Sequence, residues 1–113
     1  ISIGTPTQVA ELRNGEISEY VISPEDFGLA TADLAAVKVS TAEESLAMIR
    51  GLLDNEPGPA RDIVALNAGA AIYTAGLTDD LESGVKRALE TIASGDAAGK
   101  LEQLIERSNA FKA

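Results

Sequence analysis

The sequence predicts an α/β fold in which one β-hairpin is followed by a short helical turn and four longer helices. Two observations predict it. An Asn14-Gly15 pair separates two runs rich in strand-forming residues, which is the pattern of a tight hairpin. Further along, capping residues recur ahead of apolar residues at helical spacing, which is typical of successive amphipathic helices. We expect the hairpin at about residues 5–22 and the helices over about 24–113.

The sequence also predicts which residues of the two strands lie opposite each other. Both residues of the Asn-Gly pair tolerate a positive φ, so a two-residue type I′ turn is favoured. Such a turn places Leu12 opposite Ile17 and Val9 opposite Tyr20. Because polar and apolar residues share both faces, we expect the hairpin to lie near the edge of a sheet.

Two helix starts follow the hairpin. Ser23-Pro24-Glu25-Asp26 has a capping residue, a proline and two acids in the order that begins a helix, and Gly28 ends it after about one turn. Thr41 and Glu44 then form a capping box of the Thr-x-x-Glu type. The apolar residues behind this box form one stripe: Leu46, Ile49, Leu52 and Leu53.

Three more helices are predicted in the second half of the chain. One begins at Pro59 and ends near Gly76, and its many Ala and Gly residues let a neighbouring element approach closely. Thr78-Asp79-Asp80 caps the next helix, which ends at Gly95. Asp96 is predicted to cap the last helix.

The composition excludes several classes of function. A net charge of −9 opposes binding to nucleic acid or to anionic lipid, since both need clustered Lys and Arg. The sequence has no Cys and no His, which excludes disulfides and thiol catalysis and removes the commonest general base. No apolar run approaches the ~20 residues of a membrane helix. A chain without Cys suits a reducing compartment, and we expect a cytoplasmic protein.

Two acidic pairs have the residue types that hold Mg²⁺ beside a phosphate group. They are Glu25-Asp26 and Asp79-Asp80. Both pairs fall in the first turns of predicted helices, where the helix dipole favours acids for structural reasons. We therefore interpret both pairs as helix caps rather than metal ligands.

The other candidate residues also have a structural interpretation. Gly58-Pro59-Ala60-Arg61 begins a helix but lacks a phosphate-loop pattern, so we interpret it as a turn in which Arg61 pairs with Asp62 or another acid. Asn67 and Tyr73 are interpreted as hydrogen-bonded scaffold within the Ala-rich helix. Four serines have no His or Lys partner in a nucleophile pattern: Ser40, Ser45, Ser83 and Ser94.

Four stretches match the pattern of a known family. The most specific is Pro24-Glu25-Asp26-Phe27-Gly28-Leu29. The others are Pro6-Thr7, Val9-Ala10-Glu11-Leu12 and Gly15-Glu16 in the hairpin, Arg61 to Ala68 and Ala70-Ala71-Ile72-Tyr73 in the Ala-rich helix, and Gly84-Val85 and Ala93-Ser94-Gly95 near the end. Together they resemble the C-terminal part of the anthranilate phosphoribosyltransferases over essentially the whole chain. One stretch, residues 34–40, departs by lacking the Gly-Gly turn that many members carry.

The resemblance implies that residues 1–113 are the C-terminal portion of a nucleoside-phosphorylase/phosphoribosyltransferase-like α/β domain, incomplete as an independent fold. It implies a parent enzyme that uses Mg²⁺ to transfer phosphoribosyl from phosphoribosyl pyrophosphate to anthranilate in tryptophan biosynthesis. The family's phosphate loop, anthranilate site and Mg²⁺ ligands fall upstream of Ile1. No catalytic, substrate-binding or metal-binding residue is therefore expected within this chain, and the chain alone is expected to be inactive.

The start of the chain and its expected partners fit that interpretation. Ile1-Ser2-Ile3 has the character of extended chain already under way, so we expect a longer polypeptide. The expected partners are the missing N-terminal part of the same enzyme and, through it, small-molecule substrates and a second subunit in a homodimer. Neither nucleic acid nor a membrane is expected. In this role the hairpin extends the sheet of the domain, and the helices pack over that sheet.

Two other interpretations stay open. Related phosphoribosyltransferases and pyrimidine nucleoside phosphorylases share the architecture and use other substrates, so these residues do not fix the acceptor. Alternatively, the chain is a free-standing acidic helical module that docks a partner. A Gly-Thr-Gly-Gly-Asp loop and an Asp-Glu pair in the preceding coding region would favour the transferase, whereas a start codon close to Ile1 would favour the module.

Overall fold

The computed structural model describes residues 1–112 and has the predicted order of elements. An antiparallel hairpin of β1 (Thr7–Arg13) and β2 (Glu16–Ile22) comes first. Four α-helices follow: α1 (Ala42–Leu53), α2 (Pro59–Thr74), α3 (Leu81–Ala93) and α4 (Asp96–Asn109). Two short 3₁₀ turns, Pro24–Phe27 and Leu34–Val37, connect the hairpin to α1. The first of these was predicted, and the second was missed. Ala113, the last residue of the predicted helical region, lies outside the described residues.

The hairpin has the predicted register. Leu12 lies opposite Ile17 and Val9 lies opposite Tyr20. The turn has φ values of 53° at Asn14 and 80° at Gly15, both positive as a type I′ turn requires. Among residues 1–112, β1 and β2 pair only with each other, so a place at the edge of a larger sheet stays a prediction.

The two faces of the hairpin have different surroundings. The inner face turns toward the helices and ends at Ile22, which is buried. The outer face is formed by six exposed residues: Gln8, Ala10, Leu12, Ile17, Glu19 and Val21. Apolar and polar side chains thus occur on both faces, as the sequence indicated.

The cap of α1 is a variant of the predicted capping box. The hydroxyl Oγ1 of Thr41 accepts a hydrogen bond of 3.1 Å from the backbone N–H of Glu44. The Glu44 carboxylate reaches back to the N–H of Ser40 at 2.9 Å, one residue before the position that a standard box uses.

Asp80 is the cap of α3, since its carboxylate accepts a hydrogen bond of 2.7 Å from the N–H of Ser83. The predicted cap of α4 is wrong. Gly95, with a φ of 85°, is the residue before the helix, and Asp96 is the first helical residue. Asp96 still lies at the positive end of the helix dipole, which explains why an acid is found there. No helix among residues 1–112 is long and apolar enough to cross a membrane.

Helices α2 and α3 cross with their backbones in contact. A Cβ added to Gly69 would lie 2.5 Å from both the Cα and the N of Val85. A Cβ on Gly84 would overlap the carbonyl oxygen of Gly69. Only glycine fits at either position, so the predicted close approach along the Ala-rich helix is confirmed.

The core lies where α2 and α3 meet the first residues of the chain. Leu66 of α2 and Ile3 are fully buried, and Val85 of α3 is nearly so. Residues 1–3 form no strand. Instead, the side chain of Ile3 packs in the core formed with α2 and α3. The remaining members of the cluster are Leu29, Ala65 and Ala88.

The chain is more open than its length requires. Its radius of gyration is 15.6 Å, compared with about 13 Å for a compact domain of this length. Its accessible surface is 7555 Å², compared with about 5,900 Å² for a folded monomer of the same mass. About 1,700 Å² of additional surface is therefore left uncovered.

Candidate functional site

A groove of about 560 Å³ lies between the inner face of the hairpin and the C-terminal half of α2. Polar side chains from both strands, from α2 and from the loop after it converge on this groove, which makes it the candidate site. They are Glu11, Arg13, Tyr20, Tyr73, Thr74, Thr78 and Asp79.

At the centre of the groove, one carboxylate joins two tyrosines. Oε1 of Glu11 accepts a hydrogen bond of 2.7 Å from the hydroxyl of Tyr20, and Oε2 accepts one of 2.5 Å from the hydroxyl of Tyr73. Glu11 lies on β1, Tyr20 on β2 and Tyr73 on α2. We call these three residues the clasp, because they connect both strands of the hairpin to the helices.

Arg13 extends the clasp toward solvent. Its Nη1 donates a hydrogen bond of 3.1 Å to the Tyr73 hydroxyl, and its guanidinium carbon lies 5.9 Å from the centroid of the Tyr73 ring. The Tyr73 hydroxyl therefore accepts from a cation and donates to an anion, which polarises both hydrogen bonds in the same direction.

The clasp changes the pKa of each of its members. The hydrogen bonds from Tyr73 and Tyr20 hold the pKa of Glu11 below its usual value. Burial, followed by the bond to Glu11, raises the pKa of Tyr20 to about 12. The bond to Glu11 is also the main cause of the raised pKa of Tyr73. All three shifts favour a charged carboxylate and two protonated phenols.

These shifts indicate what the clasp can do chemically. An efficient general acid or base has a pKa near the working pH. The clasp moves its carboxylate and its phenols away from neutrality in opposite directions. It is therefore suited to holding the hairpin against α2 rather than to transferring protons.

The acidic pairs are used mainly for local structure. The Asp26 carboxylate accepts a hydrogen bond of 2.8 Å from the N–H of Ser23. Glu25 accepts one from the hydroxyl of Thr31, which lowers the pKa of Glu25. Asp80 caps α3, and Asp79 lines the groove. The interpretation as helix caps is confirmed for one member of each pair.

Within residues 1–112 no group of three or more His, Cys, Asp or Glu side chains is placed to hold a metal. One member of each acidic pair, Asp26 and Asp80, already accepts a hydrogen bond at a helix start. The Mg²⁺ implied by the resemblance and the absence of its ligands from this chain stay predictions, as does the absence of catalytic and substrate-binding residues.

The turn before α2 supports the predicted pairing of Arg61. Its Nε lies 3.4 Å from Oδ1 of Asp62, a carboxylate that is itself buried. Its Nη1 donates a hydrogen bond of 3.3 Å to Oδ1 of Asn55. Arg61 thus ties the start of α2 to the loop before it, as a structural residue would.

Asn67 is also hydrogen-bonded scaffold. Its Oδ1 accepts a hydrogen bond of 2.7 Å from the backbone nitrogen of Ile1, and its Nδ2 donates to the carbonyl oxygens of Ile1 and Ile63 at 2.9 Å each. Asn67 and Tyr73 are both hydrogen-bonded within the protein, as expected of scaffold residues, and that neither contacts a ligand stays a prediction.

The sequence contained part of the signal for the clasp. The predicted register already placed Glu11 and Tyr20 on one face of the hairpin, within reach of each other. Tyr73 lies 62 residues from Glu11 along the chain, and no local pattern connects them. The hairpin half of the clasp was therefore accessible to sequence reasoning, and the helix half was not.

A hairpin fastened by side chains to a tightly packed helical layer is the architecture of part of an α/β domain. The chain belongs to the glycosyl transferase family: the model of this family's a/b domain matches residues 1–98. The match covers the hairpin, the core and the α2–α3 pair, and it ends near the start of α4.

Proteins named anthranilate phosphoribosyltransferase are similar to this chain along its length. The one from Methylococcus capsulatus is 58% identical over 113 residues, which is 100% of this chain and 33% of that protein. The one from Thioalkalivibrio sulfidiphilus is 58% identical over 105 residues, which is 93% of this chain and 31% of that protein. The chain therefore spans about a third of the length of these relatives.

A solved structure agrees in fold. The crystal structure of anthranilate phosphoribosyltransferase from Thermus thermophilus matches 91% of this chain with a TM-score of 0.78 and 40% sequence identity. The match covers 30% of that chain. The predicted α/β fold class and the resemblance to this family are both confirmed.

Proposed function

We propose that this chain is a supporting segment of an anthranilate phosphoribosyltransferase, an enzyme that transfers phosphoribosyl from phosphoribosyl pyrophosphate to anthranilate in tryptophan biosynthesis. The observation that carries the proposal is 58% identity over all 113 residues to a protein of that name, of which the chain covers 33%. An identity this high over a full α/β segment supports a common activity of the whole proteins.

In the proposed enzyme, this segment positions other parts rather than reacting. The leaving pyrophosphate builds up negative charge that cations or backbone N–H groups must neutralise. A chain with a net charge of −9 and no glycine-rich phosphate loop is poorly suited to hold a polyanion alone. The proposed Mg²⁺ and the substrates are therefore assigned to polypeptide outside this chain.

The contribution of the segment is a rigid helical layer and a hairpin fixed to it. The backbone contact between α2 and α3 limits movement within the layer. The clasp holds β1 and β2 at one position on α2. We propose that these elements support the substrate cleft from behind.

The proposal also covers the surroundings of the enzyme. We place it in the cytoplasm, which suits a chain without cysteine. Its proposed partners are the remaining polypeptide of the same enzyme, its small-molecule substrates and a second enzyme subunit in a homodimer. Neither nucleic acid nor a membrane is proposed as a partner, because the charge of the chain opposes both.

A chimera tests the proposal. Residues 1–113 replace the matching third of the Methylococcus capsulatus relative, and anthranilate consumption is measured with phosphoribosyl pyrophosphate and Mg²⁺. We expect the chimera to be active, and we expect neither the isolated 113-residue chain nor the relative without its matching third to be active. The controls therefore show that neither part suffices.

Two results would contradict the proposal in different ways. Conversion of anthranilate by the pure 113-residue chain would show that the segment contains the reactive groups. A chimera with the circular dichroism spectrum of the relative, but without activity toward anthranilate, would show that this segment does not support that reaction.

A further inference from the structure

The outer face of the hairpin is an exposed apolar surface. Leu12 is 72% exposed, Ile17 is 74% exposed and Val21 is 58% exposed. Leu12 and Ile17 are a directly opposed pair, so their side chains form one continuous patch. A shallow depression of about 470 Å³ adjoins it, lined in part by Ala10, Glu19 and Val21.

The hairpin needs support on this side. A two-stranded hairpin is marginally stable in water unless a hydrophobic face packs against another element. The inner face is joined to α2 by the polar clasp across the groove, whereas the exposed large apolar side chains of the hairpin all lie on the outer face. Covering the outer face would remove from water the apolar groups that the clasp leaves exposed.

We propose that the outer face docks against polypeptide of the same enzyme that lies outside this chain. The docked element is apolar and places a Lys or Arg opposite Glu19, which lies between Ile17 and Val21 on this face. The inference rests on the proposed function and adds to it the surface through which this segment joins the rest of the enzyme.

The size of the uncovered surface supports this occupant. The chain as a whole exposes about 1,700 Å² more than a folded monomer of its mass, and the outer face of the hairpin is part of this surface. A stable protein–protein contact buries about 800 Å² from each partner. The relatives are about three times as long as this chain, so the polypeptide available to cover such a surface is large.

Charge argues against a second copy of this chain as the occupant. A two-fold interface brings the same patch of both copies together. Glu19 lies within the patch, so two copies would place like charges close together. The net charge of −9 on each chain adds to this repulsion.

The absence of cysteine from the sequence allows a direct test. Ile17→Cys is introduced into the chimera described above, and its reaction with a maleimide is followed by mass spectrometry of the labelled peptide. Leu104→Cys is the matched control. Leu104 is 62% exposed on α4 and lies beyond the residues that the family model matches.

If the outer face is covered, labelling at position 17 requires local opening. We expect Ile17→Cys to react more than about tenfold more slowly than Leu104→Cys in the chimera. Equal rates at the two positions would overturn the proposal. Protection of Ile17→Cys in the isolated chain that disappears on dilution would overturn it too, because it would identify a second copy as the occupant.

A second measurement tests the docking surface if the chimera fails to fold. The 113-residue chain is co-expressed with the remaining two-thirds of the Methylococcus capsulatus relative as a separate polypeptide. We expect the two to co-purify, and we expect Ile17→Lys to abolish co-purification while Leu104→Lys leaves it intact. Failure of the unsubstituted pair to associate, or association that Ile17→Lys leaves unchanged, would count against the proposal.

The two proposals fail in distinguishable ways. An active chimera with a freely reactive Ile17→Cys would leave the proposed function intact and refute the docking surface. A protected Ile17→Cys in a folded chimera that does not use anthranilate would retain the docking surface and refute the proposed function of the segment.

Discussion

The α2–α3 pair and the hairpin are held in opposite ways. The two helices touch through their backbones at Gly69 and Gly84 and enclose fully buried apolar residues. The hairpin is fastened to α2 by a charged carboxylate and two phenols, and three of its apolar residues, Leu12, Ile17 and Val21, face outward. The helices thus form their own core, whereas the hairpin depends on a polar joint and, by our inference, on a cover from elsewhere.

The difference shows how stability is distributed within the chain. Apolar burial stabilises a region without regard to pH, since no titrating group is involved. A joint made of one carboxylate and two phenols is sensitive to the protonation state of each. We therefore expect a change of pH that loosens the hairpin from α2 to leave the packing of α2 against α3 unchanged.

Leu66→Ala is expected to have the largest effect. Leu66 is fully buried in α2, so truncation leaves a cavity and costs about 3–4 kcal/mol of unfolding free energy. Leu12→Ala is the matched control on the hairpin and is expected to change stability by less than about 0.5 kcal/mol. Urea unfolding followed by circular dichroism measures both. Equal losses for the two variants would remove the distinction between the regions.

Gly84→Ala tests the backbone contact itself. The added Cβ would overlap the carbonyl oxygen of Gly69, and neither backbone can turn away as a side chain can. We expect a loss of about 2–3 kcal/mol. Gly99→Ala in α4 is the control, because nothing lies within 4 Å of its Cβ position. It should stabilise the chain by about 0.5–1 kcal/mol. A neutral Gly84→Ala would show that the helices separate easily.

Tyr73→Phe tests the clasp without changing the ring. It removes the bonds from Tyr73 to Glu11 and from Arg13 to Tyr73, so the hairpin should open from α2 more often. We expect amide hydrogen exchange in β1 and β2 to rise about fivefold while α3 stays unchanged. Tyr20→Phe removes a bond within the hairpin and should have a smaller effect. A Tyr73→Phe variant whose hairpin exchanges at the original rate would contradict this role.

The pH dependence gives the smallest and most specific effect. The pKa of Glu11 is lowered in the folded chain. The contribution of Glu11 to holding the hairpin on α2 is therefore present above about pH 4.5 and is lost as the pH falls through the pKa of the folded state. The pKa values of the two tyrosines are raised in the folded chain. The contribution of the tyrosines to holding the hairpin on α2 is therefore present below about pH 10 and is lost as the pH rises through these raised pKa values, about 12 for Tyr20.

The chain has two tyrosines and no tryptophan, so phenolate absorbance reports them alone. Glu11→Gln should move the pKa of Tyr73 toward its ordinary value more than that of Tyr20, because burial is the main cause for Tyr20. Equal shifts for both tyrosines would contradict the assigned causes.

The hairpin and the helix starts could be predicted because their signals are local. Asn14-Gly15 requires a positive φ at both positions, and this fixes the register of the residues on either side. The caps at Thr41 and Asp80 need only a side chain within three residues of the N–H that it accepts from. Two adjacent residues, Gly95 and Asp96, can each precede a helix, and here Gly95 is the N-cap, a position that the sequence predicts for Asp96.

The rest depended on contacts that no local pattern contains. The 3₁₀ turn at Leu34–Val37 begins with Asp33 accepting from the N–H of Ala35, a weak signal without a Pro or Gly nearby. The clasp needs Tyr73 and Glu11 to meet across the fold. The family resemblance indicated where the chain belongs but assigned the clasp residues no role.

The contact at Gly69 has a mechanical consequence for the whole segment. Because glycine occupies the crossing on both helices, few side-chain rotamers lie between the two backbones through which α2 and α3 could slide past each other in small steps. Tyr73 lies one turn beyond Gly69 on the same helix. We therefore expect a displacement of the hairpin to reach α2 through Tyr73 and α3 through the glycine contact, so that the two helices move together.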